Sequence, residues 1–133
     1  ILAQRLIRTL CGKCKEPYKA KPEEVAFIKR HYGESFYPEL GIDENECTLY
    51  RAKGCDACSD TGYKGRVGVH ELLTMTQELK TLVYKEAPIS EMKAQAVKDG
   101  MRTLVQDGIY KVLKGFTDFT QLQMIASMKQ FSL

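Results

Sequence analysis

Five cysteines stand at positions 11, 14, 47, 55 and 58, and four of them form two Cys-x-x-Cys pairs, Cys11-Gly12-Lys13-Cys14 and Cys55-Asp56-Ala57-Cys58. Two thiolates two residues apart can grip one metal ion while a tight turn offers backbone amides to the sulfurs. A second such pair completes a tetrahedral site with metal–sulfur bonds of ~2.3 Å. Zinc is the expected ion, and iron is the rival that a similar four-sulfur site admits. The pairs are separated by 40 residues, more than the roughly 15–20 of a compact zinc ribbon. The ion would therefore close a long excursion of chain rather than one hairpin.

The first pair, Cys11 and Cys14, is also the form of a redox-active dithiol. Such a pair normally follows a strand of a βαβ unit, whereas Leu2 to Leu10 reads as a helix. Structural disulfides would need an oxidising compartment, and the odd cysteine count and the lack of a charged-then-apolar leader speak against them. Cys47 belongs to neither pair and reads as a small half-buried hydrophobe.

Other chemistry has little to stand on. The chain holds no Gly-x-x-x-x-Gly-Lys-Ser/Thr phosphate loop, no His-Glu-x-x-His and no Gly-x-Ser-x-Gly. His31 falls near a predicted helix C-terminus, where a partly charged imidazole suits the dipole. His70 falls in a predicted strand beside Glu71, and with four thiolates at hand neither histidine is needed as a ligand. Arg66, Asp99 and Asp107 read as pairing or capping charges. Gly62, Gly65 and Gly68 predict a tight turn passing the metal site. No helix follows Gly62-x-x-Gly65, so the stretch is not read as a phosphate cradle.

The elements that must position the cysteines follow from periodicity. Leu2, Leu6, Ile7 and Leu10 recur at helical spacing. Pro22, with Glu23 and Glu24 in the first turn, opens a helix to about Tyr32 that Gly33 ends. Residues 34–47 read as loop, and short strands are expected over Thr48–Arg51 and Arg66–Leu72. Four helices then follow: one capped by Thr76, one capped by Ser90, one opened by the Thr103-x-x-Gln106 capping box, and one starting near Thr117 or Asp118. Leu122, Ile125 and Met128 are its expected buried stripe. The methionines at 75, 92, 101, 124 and 128 read as gap fillers. The fold class expected is α+β and mainly helical: a zinc-knuckle module with short strands plus a small C-terminal helical bundle. With 133 residues, 44% hydrophobic and 28% charged, one soluble globular domain is expected. A net charge of +3 without a long single-sign block gives nucleic acid no support. The longest apolar run, Val25 to Ile28, is far short of the ~18 residues of a membrane span.

Several of these segments also carry a resemblance. Gln4-Arg5-Leu6-Ile7-Arg8 leads into Cys11-x-x-Cys14-Lys15-Glu16-Pro17-Tyr18. Later come Cys55-x-x-Cys58-x-x-Thr61-Gly62-Tyr63-x-Gly65-Arg66-x-Gly68-x-x-Glu71-Leu72-Leu73 and Gly100-Met101-x-x-Leu104-x-x-Asp107-Gly108-x-x-Lys111-x-x-x-Gly115. Together they resemble the C-terminal part of the bacterial type II secretion and type IV pilus assembly motor ATPases. The resemblance implies a hexameric ATPase in the bacterial cytoplasm, peripheral to the inner membrane, that drives a membrane platform protein. It implies that Cys11, Cys14, Cys55 and Cys58 are the family's tetracysteine site with one structural zinc, and that ATP and Mg²⁺ belong only to the parent protein. The family's phosphate loop, acidic boxes and histidine box would lie upstream of Ile1, so no catalytic residue and no enzyme activity is expected of this stretch alone. Residues 1–10 would end the ATPase core as a helix, residues 11–73 would be the metal module and residues 74–133 the bundle. The implied partners are the upstream core, neighbouring subunits and the platform protein, without nucleic acid or membrane insertion. The family's last helix commonly opens with an acidic pair, where Phe119-Thr120-Gln121 stands here. A nucleic-acid-binding zinc ribbon and a redox protein using Cys11 and Cys14 are the alternatives.

Overall fold

The computed structural model describes residues 2–127. The elements are β1 (Leu2–Leu10), β2 (Glu16–Lys19), α1 (Pro22–Tyr32), β3 (Thr48–Arg51), β4 (Tyr63–Leu72), α2 (Gln77–Tyr84), α3 (Ile89–Lys98), α4 (Leu104–Leu113) and α5 (Phe119–Ser127), with 3₁₀ turns at Tyr37–Leu40 and Asp56–Cys58. The strands form two separate antiparallel ribbons, β1 with β4 and β2 with β3. The α+β, mainly helical class is as expected, with the knuckles joined to short strands and the C-terminal half helical.

The expected helix over the first ten residues is a strand. Ala3 and Ile7 are buried on one face while Leu2 and Leu6 point outward, 57% and 56% exposed. That is the alternation of a strand, stabilised by a partner of ten residues in register from Leu2 opposite Leu72 to Arg8 opposite Arg66. Long-range pairing thus overrides the local helical rhythm. Beyond Arg8 the register shifts, so that Leu10 faces Tyr63. The extra residue on β4 falls at Lys64 and Gly65, and Gly65 has φ +83°, as a bulge glycine requires. The glycine stretch is therefore not one turn: Gly62 turns the chain, while Gly65 and Gly68 lie inside β4. The strand β2 lies where the sequence predicts no element, and Pro17 stands inside it. A two-stranded ribbon has a free edge on each side, where a missing N–H costs little.

Local capping signals are largely as read. Glu24 accepts the Lys21 N–H at 2.9 Å at the start of α1. Thr76 caps α2 through the Leu79 N–H at 3.2 Å. Thr103 and Gln106 form the reciprocal box at α4. Asp118 accepts the Gln121 N–H at 3.0 Å to open α5. The exception is α3, where Pro88 occupies the N-cap and Ser90 sits inside the first turn.

The principal core joins both ribbons to three helices: Ile7, Leu49 and Val69 pack with Val25 and Ile28 of α1, Ile109 and Val112 of α4, and Leu122 and Ile125 of α5. A smaller cluster of Leu73, Leu79 and Ala96 holds α2 against α3. Met92 and Met101 fill gaps beside that cluster, but Met75 and Met124 are 43% and 46% exposed, so the gap-filling role applies to two of the four described methionines. Met128 lies outside the described residues.

Candidate metal centre

The cysteine pairs occupy the two connections that cross between the ribbons. The chain leaves β1, makes the Cys11–Cys14 turn and enters β2; it leaves β3, makes the Cys55–Cys58 turn and enters β4. Because β1 pairs with β4 and β2 with β3, the two crossings face each other. This explains the long spacer, which must hold β2, α1 and β3. The first turn is closed by the Lys15 N–H on the Cys11 carbonyl at 3.0 Å, and the second by the Asp60 N–H on the Cys55 carbonyl at 2.9 Å. Ser59, Asp60 and Gly62 all take positive φ and fold the chain back over the sulfurs.

The four sulfurs lie within 4.8 Å of one another. Sγ···Sγ separations are 3.9 Å for Cys11 and Cys55, 3.8 Å for Cys14 and Cys58, and 3.8 Å for Cys55 and Cys58. A tetrahedron with zinc–sulfur bonds of ~2.3 Å has edges of about 3.8 Å. The donor set, its spacing and its all-sulfur chemistry fit a zinc ion. Backbone amides support it: the Gly54 N–H donates to Cys14 Sγ at 3.4 Å, and Cys55 and Gly62 N–H donate to Cys58 Sγ at 3.3 and 3.2 Å. Such donors favour thiolate over thiol.

The cysteine thiols are shifted in different directions. The Lys13 amide lowers the Cys11 thiol against the opposing effect of burial. Burial pushes the Cys58 thiol up, but the Cys55 and Gly62 amides outweigh it and bring the group to about 6. Burial drives Cys14 up to about 11, and its neighbouring sulfurs add to the effect. A divalent ion at the centre would remove that last obstacle, since a coordinating thiol is deprotonated outright.

The remaining candidates stand apart. Cys47 is buried in the principal core, and burial raises its thiol pKa. His31 stacks on Phe27 with ring centres 4.1 Å apart. Burial, and then Arg30, hold its pKa below the ordinary value, which works against the partly charged imidazole expected at the helix end. His70 sits 3.8 Å from Asp107, and Asp107 also pairs with Lys111 at 3.0 Å. Asp99 accepts from the Thr76 hydroxyl at 2.7 Å, and Arg66 stands opposite Arg8. A cleft of about 460 Å³ lined by His70, Asp99, Arg102 and Asp107 lies away from the cysteines. The redox expectation needs one correction. A strand does precede Cys11, but β2 rather than a helix follows Cys14 and both ribbons are antiparallel, so the βαβ setting is still missing. Gly62 is the predicted turn glycine beside the site, but the Gly54 amide was missed; a glycine just before Cys55 was the available signal.

Residues 1–124 match the Type II/IV secretion system protein family, and the chain belongs to that family. It is 36% identical over 125 residues to the Type IV pilus assembly ATPase PilB of Thermus thermophilus, covering 92% of this chain and 13% of that protein. It is 39% identical over 118 residues to the Type II secretion system protein E of Pseudomonas aeruginosa, covering 88% of this chain and 21% of the relative. With the Type II secretion system ATPase E of Vibrio cholerae the identity is 35% over 125 residues, 94% of this chain and 22% of the relative. The chain thus spans between 13% and 22% of the length of these relatives. Among the described residues no helix is long and apolar enough to cross a membrane.

Proposed function

We propose that this chain is the zinc-binding C-terminal portion of a hexameric motor ATPase for type II secretion or type IV pilus assembly. In this reading Cys11, Cys14, Cys55 and Cys58 hold one structural zinc within a module spanning residues 11–73, and the helices of residues 74–133 pack on the motor core or a neighbouring subunit. The motor works in the bacterial cytoplasm against an inner-membrane platform protein. The observation that carries the reading is the set of four sulfurs within 4.8 Å of one another, three of their separations at tetrahedral-edge spacing, in a chain of this family. When bound, the ion supplies a cross-link between the two ribbon crossings, and structural zinc contributes roughly 10–16 kcal/mol of apparent binding free energy. The module is thereby stiff enough to pass an ATP-driven movement to the platform.

Hydrolysis is assigned to the rest of the motor, because no phosphate loop occurs in these 133 residues. Contact with that core is supported by the outer face of the β1–β4 ribbon, where Leu2, Leu6 and Leu72 are each more than half exposed. The test is elemental analysis of the purified protein, followed by Cys55→Ser and Cys58→Ser in the full-length motor. One zinc per chain is expected, with loss of secretion or piliation in the variants. Variants that keep normal folding and normal secretion or piliation would sink the proposal. A metal-free protein with a reversible Cys11–Cys14 disulfide would replace it with the redox reading.

A further inference from the structure

The two ends of the first cysteine turn are fastened to consecutive carbonyls of the α4–α5 connection. The Leu10 N–H donates to the Phe116 carbonyl at 2.9 Å, and the Lys15 ammonium donates to the Gly115 carbonyl at 2.9 Å. Residues 10 and 15 bracket Cys11 and Cys14, so the turn is held from both sides by one short segment a hundred residues away. The same ammonium lies 4.9 Å from the centre of the Tyr50 ring in β3, the strand that leads to the second cysteine pair. The segment is itself anchored to β1 and β4. The Thr117 hydroxyl donates to the Arg8 carbonyl at 2.8 Å, the Gln121 side chain accepts the Arg8 N–H at 3.0 Å, and the Tyr63 hydroxyl donates to Asp118. Thr117 and Asp118 are buried.

We propose that Lys15 is a positioning residue for the metal centre, holding the Cys14 end of the turn at its spacing from Cys55 and Cys58 through the Gly115 carbonyl and the Tyr50 ring. The inference rests on the zinc reading above. A ligand pair that is already ordered loses less conformational freedom when the ion binds. Releasing the ammonium frees one side of the turn while leaving every ligand in place. Groups that orient ligands from outside the coordination sphere typically carry about ten- to a hundredfold in metal affinity, and about tenfold is expected here because Lys15 acts on the turn rather than on a sulfur.

The experiment is chelator competition on the zinc-bound protein with Lys15→Met, which keeps the aliphatic stem and removes the charge. Its companion readout is the thiolate charge-transfer absorption of the cobalt-substituted protein. Lys15→Met should bind zinc about tenfold more weakly. Lys15→Arg should restore affinity, because a guanidinium both donates to a carbonyl and stacks on an aromatic ring. Leu79→Ala, in the separate α2–α3 cluster, should lower the melting temperature and leave zinc affinity unchanged. Wild-type affinity in Lys15→Met overturns the positioning role. So does a loss that Lys15→Arg fails to restore and Leu79→Ala reproduces, which would be general destabilisation. A wild-type protein that binds neither zinc nor cobalt overturns the metal reading itself.

Discussion

Gly62 bonds to both cysteine turns, and replacing it with alanine separates two physical effects. Its N–H donates to Cys58 Sγ at 3.2 Å and its carbonyl accepts the Cys11 N–H at 2.9 Å. Its φ is +84°, and a Cβ there would lie 2.5 Å from Ala52 Cβ, 3.2 Å from Ala52 Cα and 3.3 Å from the Lys53 nitrogen. Gly65 has nearly the same φ, +83°, but a Cβ added there would meet nothing within 4 Å. Left-handed backbone costs an alanine about 1–2 kcal/mol at either position. Only at Gly62 does overpacking against backbone add about 1–3 kcal/mol, giving roughly 2–5 kcal/mol in all. At about 4 °C per kcal/mol for a chain of this size, Gly65→Ala should lower the melting temperature by about 4–8 °C and Gly62→Ala by about 8–20 °C. The assay is thermal unfolding of the zinc-loaded variants with chelator competition alongside. Gly62→Ala should also weaken zinc binding, since the displaced backbone carries both bonds between the turns. Equal melting temperatures and equal zinc affinities for the two variants would refute the steric argument.

Two further expectations concern stability. Glu71 is buried and accepts the Leu104 N–H at 3.3 Å; burial raises its pKa above the ordinary 4.5, against the opposing effect of that amide. A carboxyl whose folded pKa is raised binds its proton more tightly when folded, so its contribution is fully present below the unfolded pKa and is lost as pH rises through the folded one. Urea unfolding of wild type and Glu71→Gln across the acid-to-neutral range should show the wild type losing stability relative to the variant as pH rises; a pH-independent difference would contradict this. Leu122 and Leu79 are both fully buried, but in the principal and the smaller cluster respectively. Each alanine substitution should cost about 2–5 kcal/mol, with Leu122→Ala at the upper end because its surroundings have less room to collapse; denaturant titration with the reverse order would show that the α2–α3 pair is the tighter packed.

The clustering of Cys11, Cys14, Cys55 and Cys58 was legible because cysteine spacing encodes it directly, whatever the surrounding fold. The caps at Thr76, Thr103 and Gln106 were legible for a similar reason: each is a contact within one turn of chain. The failures occurred where the deciding partner is remote. Leu2, Leu6 and Leu10 are four residues apart, a spacing that places them on one face of a helix and equally on one face of a strand. Only pairing with β4, some sixty residues later, breaks the tie. It also changes which residues are buried: Leu2 and Leu6 of the expected apolar face are exposed, Ile7 is buried as expected, and Ala3 joins it. Leu10, on the same alternation as Leu2 and Leu6, is nevertheless buried at the end of β1. Ser90 was displaced as a cap by Pro88, whose φ of −57° already suits the start of a helix.

The 40-residue spacer, which weakens the sequence signature, costs the site little in energy. Loop-closure entropy grows only logarithmically, by about 0.6 kcal/mol for each doubling of length, so a spacer about twice that of a compact ribbon costs about that much more. Against roughly 10–16 kcal/mol from a structural zinc, the difference is minor. In return the excursion contains β2, α1 and β3, and Val25, Ile28 and Leu49 from it enter the principal core. The ribbon β2–β3 has four residues per strand, and a two-stranded ribbon is marginal alone in water. Leu49 fastens its core-facing side to the helices, and the crossings at Cys11–Cys14 and Cys55–Cys58 fasten its end to β1 and β4. The long spacer is therefore what lets one four-cysteine cluster join two ribbons to a shared core, a connection that a hairpin-sized loop would be too short to make.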